Sequence, residues 1–302
     1  MEKSARIAGV RKALAFSFFA LGITSLAAQV LLIRELLFVF GGNEFFIGWT
    51  LAAWLFWTAL GAGLAGSLGG EPGRDPRRLV MGHVFAALAL PALLALVRAG
   101  RSLLGTVPGM LPDLGPALGF SFAALAPLCL GLGAQFVFGA RERAALPRVA
   151  LALAVAALGA AALCGGRIDR RTEAWRFPGQ VLVESRRSVY GHLAVATSGR
   201  QLNFYENGLL LGAEDDQLAS EQLVHYPMLA HARPRRVLLL GTGATGALGE
   251  ILKHGPERVD HVELDPLWIA LAKKYAAPAR RAALADPRVR TVFDDARRFL
   301  RR

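Results

Sequence analysis

The chain has 302 residues, 54% of them hydrophobic and 19% charged, with a mean hydropathy of +0.38, values that exclude a single ordinary soluble domain. The formal charge of +12 does not mark a nucleic-acid binder: 13 basic and 7 acidic residues stand before residue 165, and 22 and 16 after it, with no lysine block or RNA-module signature. Basic residues beside the apolar runs read instead as membrane-flanking anchors.

Residues 1–164 hold five apolar stretches, roughly 13–33, 45–66, 79–97, 117–138 and 146–164, each near the about twenty residues a helix needs to cross a hydrocarbon core of ~30 Å. Charged or Gly/Pro-rich connections separate them, such as GGEPGRDPRR (69–78) and GARERAALPR (139–148). The first run is too long for a signal-peptide core and leads into Arg34 and Glu35, so it is expected to be retained. Small residues at helical spacing, Gly61, Ala65 and Gly69, then Gly131 and Gly139 around Gln135, predict close helix packing. For the polar residues Arg34, Glu35, Asn43, Glu44 and His83, anchoring or turn formation is set against a ligand path through the membrane. Orientation stays open: the N-terminal tail and the 67–78 and 139–148 loops favour one arrangement, Arg167, Arg170, Arg171 and Arg176 the other. Cys129 and Cys164 lie in or beside apolar runs and read as small buried hydrophobes.

After a linker (165–180) comes a β-hairpin region (181–216): VLVES, VYGHLAVAT, an SGRQ turn, LNFYE, and the Asn207-Gly208 pair, whose turn positions must tolerate positive φ. Residues 217–230 read as an amphipathic helix with Leu218, Leu223, Val224 and Leu229 on one side. Asp215 and Asp216 either cap that helix or meet a substrate. His192, His225, His231 and His254 fall on strand, helix and loop positions, where surface or packing roles are expected over metal ligation.

In 217–302 strands then alternate with helices: RRVLLL (235–240), GALGEILKH, RVDHVEL (258–264), PLWIALAKKYA and RVRTVF (288–293). That order predicts a parallel sheet with right-handed crossovers and a ligand beyond the carboxyl ends of its strands. Gly241, Gly243 and Gly246 follow the first strand, where missing Cβ atoms permit a tight turn and close approach of a ligand. Glu263 closes the second strand, placed to accept ribose hydroxyls, and Asp294 and Asp295 close the third, within reach of an adenine amino group. The glycine loop by itself fits a dinucleotide site as well, and a strand-to-helix turn without a ligand is the lesser alternative.

FYENG, HYPMLAHARPRRVLLLGTGATGALGEILKH, VDHVELDPLWIALAKKY and DPRVRTVFDDARRFL, in that order, resemble the polyamine aminopropyltransferases, the spermidine synthase family, from about residue 181 onward. RELLFVFGGNEFFIG resembles the membrane region of bacterial proteins in which several spans precede such a domain. The resemblance implies an all-α transmembrane bundle followed by a small antiparallel β region and a partial α/β methyltransferase-like (Rossmann-like) parallel sheet. It implies decarboxylated S-adenosylmethionine as co-substrate and aminopropyl transfer to a diamine such as putrescine, with no prosthetic group and no metal.

Position by position, Glu263 matches the family's ribose-binding carboxylate, Asp295 its adenine-side acid, and Asp216 a retained substrate-binding acid. Its GGGDGG loop stands here as GTGATG, so the aspartate facing the aminopropyl amine becomes Ala244, while Gly191, Asn207, Gln217 and Ser220 replace other amine-side residues. The family's catalytic aspartate follows a fourth strand, past Arg302, so the sequence is expected to be partial and no catalytic residue is named.

Three other readings remain: an S-adenosylmethionine methyltransferase, against which stands Leu239 where such enzymes often carry an acid; a nucleoside-binding sensor without turnover; and an NAD-binding module. The expected partners are the nucleoside donor, a polyamine and the lipid bilayer, with a homo-oligomer left open. The expected setting is a bacterial inner membrane, with the C-terminal part in the cytoplasm, where adenosyl sulfonium donors are made.

Overall fold

A computed structural model of the chain describes residues 2–68, 77–141, 167, 169, 171–214, 216–242 and 245–301. The expected fifth apolar span (146–164), Gly69, Cys164, Asp215, Gly243 and Ala244 lie outside the described residues. The chain divides into two units, Met1–Thr106 with Pro112–Arg176, and Val107–Leu111 with Phe177–Arg302.

The first unit is helical: α1 (Glu2–Val39), α2 (Phe45–Leu68), α3 (Arg77–Arg98), the single turn α4 (Gly100–Leu103) and α5 (Leu114–Arg141). Four stretches, Ala15–Val39, Phe45–Ser67, Arg78–Arg98 and Leu114–Arg141, are long and apolar enough to cross a membrane by length and composition. Helices α2 and α5 approach closely because glycines face backbone: a Cβ on Gly61 would stand 2.2 Å from the Leu130 carbonyl oxygen, and one on Gly133 2.1 Å from that of Thr58. Two indoles add directional bonds between the same helices, Trp49 Nε1 donating to Ser121 Oγ at 3.1 Å and Trp57 Nε1 to the Phe122 carbonyl at 2.9 Å. Cys129 is buried in this core, as the sequence leads one to expect.

Glu35 is no interface anchor. It is only 2% exposed, because Arg98 grips both carboxylate oxygens, with Nε to Oε2 at 3.0 Å and Nη2 to Oε1 at 2.9 Å, and Arg176 pairs with Oε2 as well. Arg98 also donates to Thr172 Oγ1 and pairs with Asp169, and Arg176 donates to Glu173 Oε1 at 2.9 Å. Arg101 donates to the Phe38 and Val39 carbonyls at the C-terminus of α1, which have no partner within the helix. Charge balance explains why these groups tolerate burial, since a desolvated ion is costly unless paired and hydrogen-bonded.

The second unit has two sheets. Strands β1 (Val181–Arg187), β2 (His192–Ser198), β3 (Gln201–Glu206) and β4 (Leu209–Ala213) form an antiparallel meander in sequence order. Its last turn is the expected Asn-Gly hairpin, with φ of 48° at Asn207 and 76° at Gly208. Helix α6 (Gln217–Ala230) follows, but its buried face is not the expected leucine stripe. Ser220, Val224 and Met228, each one turn apart, are buried, whereas Leu218, Leu223 and Leu229 are exposed. The stripe is displaced because Ser220 Oγ donates to the Thr245 carbonyl at 3.1 Å, which turns that side of α6 inward.

The second sheet is parallel, β5 (Arg236–Leu240), β6 (Arg258–Glu263) and β7 (Val289–Phe293), in the order β5-β6-β7. Its crossovers carry α7 (Ala247–Lys253) after β5, then α8 (Pro266–Tyr275) and α9 (Pro278–Leu284) after β6, and α10 (Ala296–Phe299) follows β7. Helix α9 was not expected from the sequence. Val195, Phe204, Leu248, Ile251, Val259, Trp268 and Ile269 belong to one continuous core, so the two sheets and their helices share a hydrophobic interior.

Removing the central carboxylate of the first unit leaves two buried guanidinium groups facing each other. Glu35→Ala is expected to cost about 3–5 kcal/mol of stability in thermal unfolding of the detergent-solubilised chain. Asp169→Ala, whose carboxylate is 41% exposed, is expected to cost no more than about 1 kcal/mol.

Candidate functional site

Parallel pairing brings the carboxyl ends of the three strands to one edge. The register sets Leu240 opposite Val262 and Glu263 opposite Phe293. It continues past the strands, with Gly241 N donating to the Val262 carbonyl at 2.8 Å and Asp294 N to the Glu263 carbonyl at 3.2 Å. Gly241, Glu263 and Phe293 therefore stand side by side on neighbouring strands, with Asp294 one position further on.

The turn after β5 needs its glycines for two different reasons. Gly241 has φ +67°, and nothing crowds its Cβ position. Gly246, the N-cap of α7, has φ +117°, and a Cβ there would come within 2.7 Å of Ser220 Oγ. Thr242, between them, is a non-glycine residue at φ 54°. Thr245 closes the turn, its N and Oγ1 both donating to the Thr242 carbonyl, at 3.0 and 2.7 Å.

Glu263 is 7% exposed and only half satisfied. Its Oε1 accepts from Leu264 N at 2.8 Å and Asp265 N at 3.4 Å, while Oε2 finds no hydrogen-bond donor among the described residues. Burial, together with the Glu206 and Asp265 carboxylates, lifts its pKa above the usual carboxylate range, against the pull of those two N–H donors. Asp265 caps α8 by accepting from Leu267 N at 2.9 Å on Oδ1, and its Oδ2 is buried without a donor among the described residues.

Glu206 is the residue that the sequence did not reveal. It ends β3, two positions after Phe204, whose ring packs edge-on against Trp268 of α8. Burial first and Asp265 second raise its pKa, and Glu206 in turn adds to the upward shift of Glu263. A glutamate beside a turn pair looks solvent-facing in sequence; only the pairing of β3 and the docking of α8 give it this setting.

The remaining expected residues serve the fold in visible ways. Asp294 is buried, accepts from Asp295 N at 2.8 Å and pairs with Arg298. Asp295 is exposed and caps α10, accepting from Arg297 N at 2.8 Å and Arg298 N at 3.0 Å. Asp216 caps α6 through Ala219 N at 3.1 Å, the first of its two expected roles. Asn207 Oδ1 accepts from His192 N at 3.0 Å, and Ser220 is engaged with Thr245.

An open parallel α/β sheet with a positive-φ glycine turn after one strand and acids closing the next two is the arrangement of the doubly wound domains that bind ligands at their strand ends. Residues 216–302 match the spermine/spermidine synthase domain. That similarity is confined to this part of the chain, under a third of its length. Polyamine aminopropyltransferase 1 of Pseudomonas aeruginosa is 34% identical over 130 residues, 41% of this chain and 45% of that protein. The polyamine aminopropyltransferase of Corynebacterium efficiens is 33% identical over 202 residues, 64% of this chain and 37% of that protein. A spermidine synthase solved in complex with the transition-state analogue AdoDATO is 29% identical, with a TM-score of 0.38 over 40% of this chain and 42% of that one. The chain thus spans less than half the length of these relatives.

Behind the site, His261 is fully buried on β6, its Nε2 3.9 Å from Glu263 Oε2, and burial holds its pKa down to about 4. The unfolded imidazole takes up its proton near pH 6.5 and the folded one only near pH 4, so stability is complete above that window and is lost as pH falls through it. Wild type is expected to lose on the order of 3 kcal/mol more than His261→Leu across this range, read from denaturant unfolding at stepped pH.

Proposed function

We propose that this chain is a membrane-anchored, spermidine-synthase-like protein that binds decarboxylated S-adenosylmethionine and transfers its aminopropyl group to a polyamine such as putrescine. The observation that carries the reading is the half-satisfied Glu263 carboxylate beside the glycine turn, with Oε2 buried and waiting for a donor. A pair of ribose hydroxyls supplies such donors, and the desolvation already borne by the carboxylate makes each bond to it worth more than in water. Gly241, Gly243 and Gly246 line the loop against which the nucleoside lies, and Asp294 and Asp295 take the adenine side. Asp216 is assigned to the acceptor side. Four apolar helices, long enough to cross a membrane by length and composition, support the anchoring, and the nucleoside site is assigned to the cytoplasmic face of a bacterial inner membrane because adenosyl sulfonium donors are made there.

In the transfer itself, an amine nitrogen attacks the carbon next to the sulfonium, the carbon–sulfur bond breaks, and methylthioadenosine leaves with the electron pair. The attacking nitrogen gives up a proton, which a carboxylate base accepts. Cationic amines also need carboxylates to hold them, and this chain carries Ala244, Asn207 and Ser220 where the family places amine-side groups.

That deficit favours a second reading, a nucleoside-binding sensor without turnover. Asn207 and Ser220 are committed to backbone partners. The methyltransferase reading is weaker because Leu239 stands where an acid would hold the amino-acid ammonium.

Calorimetry on the detergent-solubilised full-length protein separates these readings, using decarboxylated S-adenosylmethionine, S-adenosylmethionine, methylthioadenosine and NAD as ligands. Tight binding of the decarboxylated donor with product from putrescine is the expected result; binding without product identifies the sensor, and preference for NAD overturns both. Glu263→Gln is expected to weaken nucleoside binding by about 1.5–3 kcal/mol, roughly ten- to a hundredfold, while raising the melting temperature by a few degrees because a buried charge disappears.

A further inference from the structure

Away from the strand ends, the second unit gathers four residues that lie far apart in sequence. Glu221 and His225 are one turn apart on α6; Glu250 and His254 are one turn apart on α7 and its C-cap. Single ligand atoms of Glu221, His225 and Glu250 all lie within 4.8 Å of one another. His225 Nε2 is 3.2 Å from Glu250 Oε2, close to the edge of about 3.3 Å that a tetrahedral ion with bonds of ~2.0–2.1 Å requires between its ligands. The other ring nitrogen, His225 Nδ1, is 2.7 Å from His254 Nε2. An imidazole held at its far nitrogen while the near one faces two carboxylates is the arrangement by which proteins orient a metal-bound histidine.

We propose that Glu221, His225 and Glu250 bind one divalent transition-metal ion of the zinc type, that water fills the fourth position, and that His254 positions His225 by accepting its Nδ1–H. One imidazole with two carboxylates suits zinc or cobalt over magnesium and calcium, which favour all-oxygen shells. Without metal the same groups form a hydrogen-bonded chain: His225 Nε2–H points at Glu250, and His254 Nε2–H donates to His225 Nδ1. Lys253 Nζ meanwhile donates to both Glu250 oxygens, at 2.7 and 2.6 Å, and Gln217 Nε2 donates to Glu221 Oε1 at 2.7 Å.

Binding releases the Nε2 proton of His225 to solvent as the ion takes its place; the proton shared with His254 passes from His254 Nε2 to His225 Nδ1, His254 takes up one from solvent on its own Nδ1, and the Lys253 ammonium, 54% exposed, moves out into solvent. The His225 side chain is 33% exposed, which gives the ion a way in. An ion here ties α6 to α7 one residue along from Ser220, whose hydroxyl reaches the turn closed by Gly246. It therefore braces the glycine turn from outside and adds its binding free energy to the fold.

The test uses the full chain in detergent, stripped with a chelator and titrated with cobalt(II), then zinc(II). One cobalt per chain with the visible bands of a tetrahedral ion, displaced by one equivalent of zinc, is expected. Affinity should fall at least tenfold in His225→Ala and in Glu221→Gln, and stay unchanged in His231→Ala, which alters an exposed histidine outside the cluster. His254→Ala should weaken binding ten- to a hundredfold, and His254→Gln, which keeps an acceptor, should recover most of it; a packing role alone gives no such recovery. Should the variants fail to fold, zinc must slow carbethoxylation of His225 in wild type. No stoichiometric binding, affinity indifferent to His225→Ala, or no protection of His225 overturns the proposal.

Discussion

Everything at the candidate site depends on the in-register parallel pairing of β5, β6 and β7. Two backbone bonds beyond the regular ladder, Gly241 to Val262 and Asp294 to Glu263, extend that register past the ends of the strands. Because side chains alternate along a strand, a slip of one residue would turn Glu263 to the opposite face and separate it from the glycine turn. The register is protected by burial: Val259 and Val262 on the central strand are almost wholly enclosed, and a one-residue slip would put Asp260 and Glu263, or Arg258 and His261, in their places.

The same pairing explains why the site is electrostatically uncomfortable. Burial first raises the cost of charge on Glu206 and Glu263, the Asp265 carboxylate adds to it on both and Glu206 adds to it on Glu263, and His261 sits uncharged beneath them. Groups of this kind detract from folding and persist where something binds them. The ion cluster around Glu35 is the opposite case. There each buried charge already meets its counterpart within the fold, so the arrangement is structural and calls for no ligand.

Much of this was legible in the sequence because it rests on local chemistry. Asn207-Gly208 announces its hairpin, the alternation of β-branched runs with helical ones announces the parallel sheet, and the position of Glu263 after RVDHV announces a strand end. What stayed hidden depends on contacts between distant segments. The buried side of α6 is chosen by Ser220 and Thr245, 25 residues apart, while leucines suggested another side. Helix α9 was missed because APARRAAL offers small and charged residues without a clear apolar stripe; its proline start is the signal that was there to be read. The histidines looked scattered because His225 and His254 meet only when α6 packs on α7. Glu35, read as an interface anchor, is enclosed because Arg98 and Arg176 arrive from elsewhere in the chain.

One packing contact has a practical bearing. Of the five tryptophans, Trp268 alone belongs to the second unit, where it is 4% exposed and edge-on to Phe204. Trp49, Trp54, Trp57 and Trp175 belong to the first. The emission of Trp268 thus reports solvent entry between β3 and α8, and the difference spectrum between the native chain and one with phenylalanine at that position isolates the melting of this half from that of the apolar helices.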